Sequence, residues 1–258
     1  MENQKNLQSE AQFHNAKITG QGKRWEAKFY HTIAAQQRYD VFVKLLGSVE
    51  GKKVLDLGAG DGWQTMSLLE RGALVSSVDI SDESIKRIDE LSRSYAQAGL
   101  CRSFVMDAQH MTFEDDSFDI VVGHGILHHL PDMSRAVSEI LRVLKPNGYA
   151  VFSEPLGMNP FINLYRKMTP GARTKEERPL SAEDLNLIRQ KSTRTEYHFF
   201  ELLTLLSKVA LLLGLNRAAA WLEEKLLGLD EKLLCAKQPN KISVAQRLAW
   251  VVVMKFTK

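Results

Sequence analysis

The chain has 258 residues, 44% of them hydrophobic and 25% charged, with a formal net charge of +3. That length can bury a sizeable core in one domain, or in one domain with a large insertion, and the charge is too small to make nucleic acid the default partner. Two cysteines, Cys101 and Cys235, supply no disulfide framework and point to a reducing, cytoplasmic setting. Met1 to Glu10 is polar, so no signal peptide is expected. The first fifty residues read mostly as helix. Trp25 to Leu46 carries Phe29, Ile33, Tyr39, Phe42, Val43 and Leu46 near helical spacing and stops at Gly47, which predicts a helix packed across a sheet edge.

The stretch from Lys53 to Ser81 organises the rest. Val54, Leu55 and Leu57 form a short apolar run that reads as a buried parallel strand. It breaks into Gly58-Ala59-Gly60-Asp61-Gly62, resumes as a helix through Met66, Leu68 and Leu69, and is followed by a second run, Leu74 to Val78, ending on Asp79 and Ile80. Strand, glycine turn, helix, strand and acid is the order of a nucleotide-binding βαβ unit. The glycines let the backbone bend sharply and let a ligand approach the main chain. Asp79, at a strand end, is placed to accept from both hydroxyls of a ribose. A dinucleotide fingerprint, however, has the spacing G-x-G-x-x-G and seats a pyrophosphate on the helix N-terminus. Here the spacing is G-x-G-x-G, with Asp56 before it and Asp61 inside it. Carboxylates beside the bend repel a pyrophosphate and suit a cation, and S-adenosylmethionine carries a sulfonium and an ammonium without any phosphate. The run D-L-G-A-G-D-G resembles motif I of the class I S-adenosylmethionine-dependent methyltransferases. That resemblance implies a Rossmann-like, seven-stranded, mostly parallel sheet with an antiparallel last strand, N-terminal helices and a helical lid insertion. It also implies that Asp56, Gly58, Ala59, Gly60, Asp61, Gly62, Asp79 and Ile80 contact the cofactor. In related methyltransferases N-terminal helices close over the ligand, which makes Phe13-His14 and Trp25 to Tyr30 candidates for that role.

Beyond Asp79, Ser81 is a plausible N-cap for a helix through Ile85, Ile88 and Leu91. Ser103 to Met106 reads as a third strand ending on Asp107-Ala108, the place where the resemblance puts adenine recognition. Phe118 to Val122 reads as the fourth strand and leads into GHGILHHLPD, Gly123 to Asp132. With FEDDSFDIVVG before it, this run resembles the methyltransferase family that includes the ubiquinone and menaquinone methylating enzymes. There the loop lies against the methionine moiety and the substrate, which implies a cofactor contact for His124 and a place near the reaction centre for His128. Methyl transfer to a hydroxyl needs its proton removed, so His128, or failing that His129, is the candidate base. Adjacent residues point apart, so at most one of them faces the substrate. Some relatives carry Glu and His here as metal ligands, but Gly125 stands where their upstream Glu would be, so no metal is expected. Pro131 is expected to start the next helix, through Leu144 and Lys145. After the Pro146-Asn147-Gly148 turn, Ala150 to Ser153 makes a fifth strand, tipped by Glu154, a further candidate base or substrate anchor.

Past Pro155 the core motifs stop. The next thirty or so residues are rich in proline and are expected to begin as an ordered loop; they resemble a segment of bacterial methyltransferases encoded with surface-glycan or secondary-metabolite pathways. Ser181 and Asp184 make a capping-box-like start for a helix over Ala182 to Gln190. Thr195 to Phe200 reads as a sixth strand, Leu202 to Leu213 and Ala218 to Leu227 as apolar helices, and Leu248 to Phe256 as the inserted last strand. The organisation expected is a helical cap (1–48), a cofactor-binding core (49–155), a substrate lid with the sixth strand (156–247) and the last core strand (248–258). Arg166, Lys167, Arg173, Lys175 and Arg178 concentrate positive charge in the lid. They read either as a solvated face or, through Arg166 and Arg173 with Tyr165 beside them, as a grip on an anionic substrate. The apolar helices point to a greasy substrate or a face for a second copy. Phe199 to Leu215 is interrupted by Glu201 and Lys208 and is not expected to span a membrane. The reading is methyl transfer from S-adenosylmethionine to oxygen or carbon of a small metabolite, isoprenoid or glycan precursor. The alternatives are an enzyme that couples methylation to cyclisation of a prenyl diphosphate, and a non-catalytic cofactor-binding subunit.

Overall fold

The computed structural model describes residues 9–16, 32–169, 174, 177–235 and 242–258. Seven strands form one sheet: β1 (Lys53–Leu57), β2 (Leu74–Asp79), β3 (Cys101–Val105), β4 (Phe118–His124), β5 (Leu144–Pro155), β6 (Arg194–Phe200) and β7 (Val251–Thr257). Their order is β3-β2-β1-β4-β5-β7-β6. β1 to β5 are parallel, and β7 is inserted antiparallel between β5 and β6, as the sequence predicts.

Successive residues of a strand face opposite sides, so each buried strand feeds two cores. Leu55 and Leu57 of β1 join Val121, Phe152 and Met254 on one side, against α6 (Met133–Val143) and α8 (Ala182–Lys191). Val54 joins Val75, Ile120 and Val253 on the other, against α2 (Ile33–Leu46) and α3 (Trp63–Glu70). The same alternation aims Asp56 at α3, where its carboxylate accepts from Thr65 Oγ1 at 2.7 Å.

Local signals end the helices much as the sequence suggests. Gly47 stops α2, and Ser81 caps α4 (Asp82–Leu91) by accepting from the Ser84 amide at 3.0 Å. Ser181 and Asp184 close a capping box on α8. Elsewhere the boundaries move. Asp132, and not Pro131, caps α6, and β5 begins already at Leu144. The proline-rich run contains a helix, α7 (Pro160–Met168), because Asn159 accepts from the Phe161 and Ile162 amides (2.9 and 3.3 Å) while Pro160 fills the first turn. A short helix over residues 9–16 is α1; α5 covers Arg93–Gln97.

The two apolar helices are α9 (Leu205–Leu212) and α10 (Asn216–Leu234), the second longer than expected, followed by α11 (Val244–Arg247). Buried carboxylates dock them. Glu223 accepts from the Ala34 amide at the start of α2 (2.9 Å), and Asp230 accepts from the Leu203 and Thr204 amides before α9 (2.6 and 3.0 Å). Each acid satisfies backbone donors that a helix start leaves open and sits where the helix dipole favours negative charge. Among the described residues no helix is long and apolar enough to cross a membrane.

Candidate active site

The carboxyl ends of the parallel strands gather nearly every residue the sequence singles out. Gly58, Gly60 and Gly62 all adopt positive φ (70°, 55° and 86°), the conformation that favours glycine. The Gly58 and Ala59 amides donate to Val78 O (2.8 and 3.0 Å), which ties the bend to β2. Asp79 then braces its tip: Oδ2 accepts from the Gly60 amide and Oδ1 from the Ser81 amide, both at 2.8 Å. A side chain at Gly58 would run into Ile126 at 2.7 Å, whereas one at Gly60 would meet only Gly58 O at 3.9 Å. The bend is therefore covered on one side by the loop after β4 and bare at its tip. Asp107 emerges beside Asp79, since β2 and β3 are neighbours with Asp79 level with Val105. Its Oδ1 accepts from the Gln109 amide at 2.9 Å, and Ala108 is buried next to it. Asp61 and Ile80 are partly exposed on the same rim. Asp56 lies beneath. Burial, opposed by the Thr65 hydroxyl and reinforced by the Asp79 charge, pushes its carboxyl up to about 7.

Glu154 explains how the next loop is shaped. It is 0% exposed at the end of β5, and β4–β5 register brings it under Gly125. Its Oε1 accepts from the Ile126 and Leu127 amides (both 2.9 Å), and Oε2 faces His128 Nδ1 at 2.8 Å. Expected as a base or a substrate anchor, Glu154 is instead consumed by the 3-10 turn Leu127–His129 and by the His128 ring. That contact fixes the imidazole and directs Nε2 away from the sheet, to 3.8 Å from Glu177 Oε1. Glu177 is delivered by residues 177–180 running along the end of β5. The Arg178 amide donates to His128 O (2.8 Å), and the Leu180 amide to Pro155 O (2.9 Å).

The two histidines do not point apart: both sit in one 3-10 turn, and their ring centroids lie 4.2 Å from each other, although each meets a different acid. His129 Nδ1 lies 3.2 Å from Glu10 Oε2 of α1, on which His14 also bears. At its other end α1 reaches α4, where Asn15 donates to Asp82 at 3.0 Å. Residues 9–16, with Phe13 and His14, thus lie across the strand tips between the β4 loop and α4. His124 leaves that cluster. Its ring packs on Phe42 and Trp63 (centroids 4.1 and 4.9 Å), and this enclosure pushes its pKa down to about 3, so it is a neutral wall of the site. Arg166, expected to fork an anion, donates to Glu177 at 2.8 Å and so backs His128. Tyr165 precedes it on α7, with its hydroxyl buried. Arg173, Lys175 and Trp25 to Tyr30 lie outside the described residues.

Residues 55–152 match the sequence profile of the family described as "Methyltransferase domain". Over these residues the chain is similar to methyltransferase domains. The chain is 29% identical over 155 residues to a ubiquinone biosynthesis O-methyltransferase of Alkalilimnicola ehrlichii, covering 58% of this chain and 62% of that protein. It is 32% identical over 134 residues to a fatty-acid O-methyltransferase of Mycolicibacterium smegmatis, covering 51% and 43% respectively. The chain thus spans less than two thirds of the length of these relatives. A crystal structure of the N-methyltransferase NodS from Bradyrhizobium japonicum, in complex with S-adenosyl-L-homocysteine, shares the fold at TM-score 0.60 and 12% identity, covering 96% of this chain and 97% of that one.

The glycine bend fits S-adenosylmethionine on its own geometry. The bare tip at Gly60 admits a ligand against the main chain. Asp79 and Asp107 each retain lone pairs beyond the amide hydrogen bonds they accept, with Asp107 Oδ2 also 3.0 Å from His110 Nδ1. The acids gathered around it favour a cation over a phosphate. Asp79→Ala is expected to weaken cofactor binding by about 1.5–3 kcal/mol, the usual worth of hydrogen bonds to a charged group. Calorimetric titration measures this, and affinity equal to wild type removes Asp79 from the site. Three contributors escape the sequence. Glu10 stands in a polar leader with only its His14 partner one helical turn on as a signal. Glu177 reads as dilution of a basic run. Ile126 reads as filler, although it seals the bend.

Proposed function

We propose that the chain methylates an oxygen of a small molecule that carries an apolar tail, with His128 as the base. The observation that supports this most is the buried Glu154–His128 pair at 2.8 Å, whose second ring nitrogen looks toward the space between the β4 loop and α7. S-adenosylmethionine, when bound on the glycine bend, supplies the methyl group as an electrophile whose leaving group needs no acid. What remains for the protein is alignment and removal of one proton. Glu154 holds the His128 ring so that Nε2 presents its lone pair, and its charge balances the imidazolium that forms. Glu177, braced by Arg166, sits on the far side of that nitrogen and limits how the ring turns. α1 and the neutral wall of His124, Phe42 and Trp63 keep water from the strand tips.

The tail rests on a second feature. α7 buries Ile162 and turns Arg166 inward, yet leaves Phe161 and Met168 each 74% exposed, with Leu164 between them. An apolar ridge beside a polar centre suits an amphiphile, and two relatives in sequence, a ubiquinone biosynthesis O-methyltransferase and a fatty-acid O-methyltransferase, agree with that class. Turnover of methyl-labelled cofactor should be measured with a prenylated hydroxybenzene and with a long-chain fatty acid. His128→Ala is expected to lower turnover about 10²-fold or more while leaving cofactor affinity unchanged. Equal turnover in that variant ends its role as a base. Absence of labelled product from both substrate types, with cofactor binding intact, ends the amphiphile reading.

A further inference from the structure

Glu10, His14 and His129 are brought together from distant parts of the chain. Glu10 and His14 share a face of α1, and His129 ends the 3-10 turn that Glu154 shapes. Glu10 Oε1 accepts from the Thr174 hydroxyl, and Oε2 faces the two histidines. Oε2 lies 3.2 Å from His129 Nδ1 and 3.6 Å from His14 Nε2, and all three atoms fall within 4.8 Å of one another. Glu10 Oε2 and His129 Nδ1 are both buried and face each other. With His14 Nε2 beside them, three lone-pair donors converge, which describes a site for something that accepts lone pairs.

We propose that Glu10, His14 and His129 form a binding site for a first-row divalent cation of the zinc class. The dimensions agree. Donors about 2.0–2.1 Å from a tetrahedral zinc stand about 3.3 Å apart, a value that the two short separations, 3.2 and 3.6 Å, bracket. Two imidazoles and one carboxylate select zinc and its neighbours over magnesium, which prefers oxygen ligands alone. His14 is the most open of the three, with 28% of its side chain exposed, so the fourth position faces outward to water or to an oxygen of a bound molecule. Because α1 also reaches α4, an ion here pins that helix across the strand tips. This site stands on its own geometry and does not depend on the methyl-transfer reading.

The test is metal binding by untagged, chelator-treated full-length protein. Zinc content after equilibrium dialysis should be stoichiometric, and added Zn²⁺ should raise the melting temperature, whereas Mg²⁺ should not. His14→Ala, at the most open of the three residues, is expected to melt like wild type without metal and to lose both the bound zinc and the shift. Glu10→Gln, which keeps the shape, should behave the same way. Glu177→Gln should retain zinc, because Glu177 joins His128 and His129 in a second group that contains neither Glu10 nor His14. Failure of wild type to bind zinc, an equal response to Mg²⁺, or zinc retained by His14→Ala and Glu10→Gln but lost in Glu177→Gln overturns the assignment.

Discussion

Glu154→Ala is expected to cost about 2–6 kcal/mol of stability, because it leaves two amides of the loop after β4 without their acceptor. Few carboxylates are so completely occupied. It is fully buried and accepts from the Ile126 and Leu127 amides and from His128, through the ring at 2.8 Å. Each buried amide left without an acceptor costs about 1–3 kcal/mol by itself. The loss should appear as a lower urea midpoint with an unchanged slope, since the same surface is exposed on unfolding. Glu154→Gln separates the two jobs of this residue. Its remaining oxygen can still accept from the loop amides, so the stability loss should be smaller. Its amide group, however, meets the ring nitrogen as a donor, so turnover should fall while cofactor affinity holds. An alanine variant within about 0.5 kcal/mol of wild type, the scatter of ordinary surface changes, removes Glu154 from its structural role.

This pair also shows where sequence reading stops. The cofactor half of the site was legible because its signals are local: an apolar strand, a glycine bend, and an acid about 20 residues further on. Asp79 and Asp107 then come together simply because parallel strands end on the same edge. The reacting half depends on contacts made across the fold. Nothing near Glu154 in sequence says that its carboxylate will fold back under the loop of the preceding strand. That follows from the level pairing of His124 with Ser153 in the β4–β5 ladder. Glu10 is further still, joined to His129 only through the docking of α1. The helix α7 was concealed by a different cause. Proline content argued for a loop, yet Asn159-Pro160 is a cap followed by a favoured first-turn residue, and that local pair outweighed the overall composition. Arg166 meets an acid of the same chain, Glu177, which in the sequence reads only as dilution of a basic run.

Gly58→Ala is expected to damage both halves at once. At φ +70° an alanine pays about 1–2 kcal/mol for the left-handed conformation. Its Cβ would stand 2.7 Å from Ile126 Cγ1 and 2.8 Å from both Cβ and Cδ1, which adds an overpacking cost of about 1–3 kcal/mol. The same site distinguishes this glycine from Gly60, where an alanine meets no close neighbour and should cost only the conformational part. Relief at Gly58 requires the loop after β4 to move, and that loop carries His128 and His129. Cofactor affinity and turnover should therefore fall together in Gly58→Ala, with turnover falling further. Trimming the obstacle does not repair it: Ile126 Cβ itself is in the way, so Gly58→Ala with Ile126→Ala should recover little of either. Urea unfolding and calorimetric cofactor titration on the two single variants and the double variant measure the coupling. Full recovery in the double variant shows that only the outer carbons of Ile126 collide, and that the loop backbone was never under load.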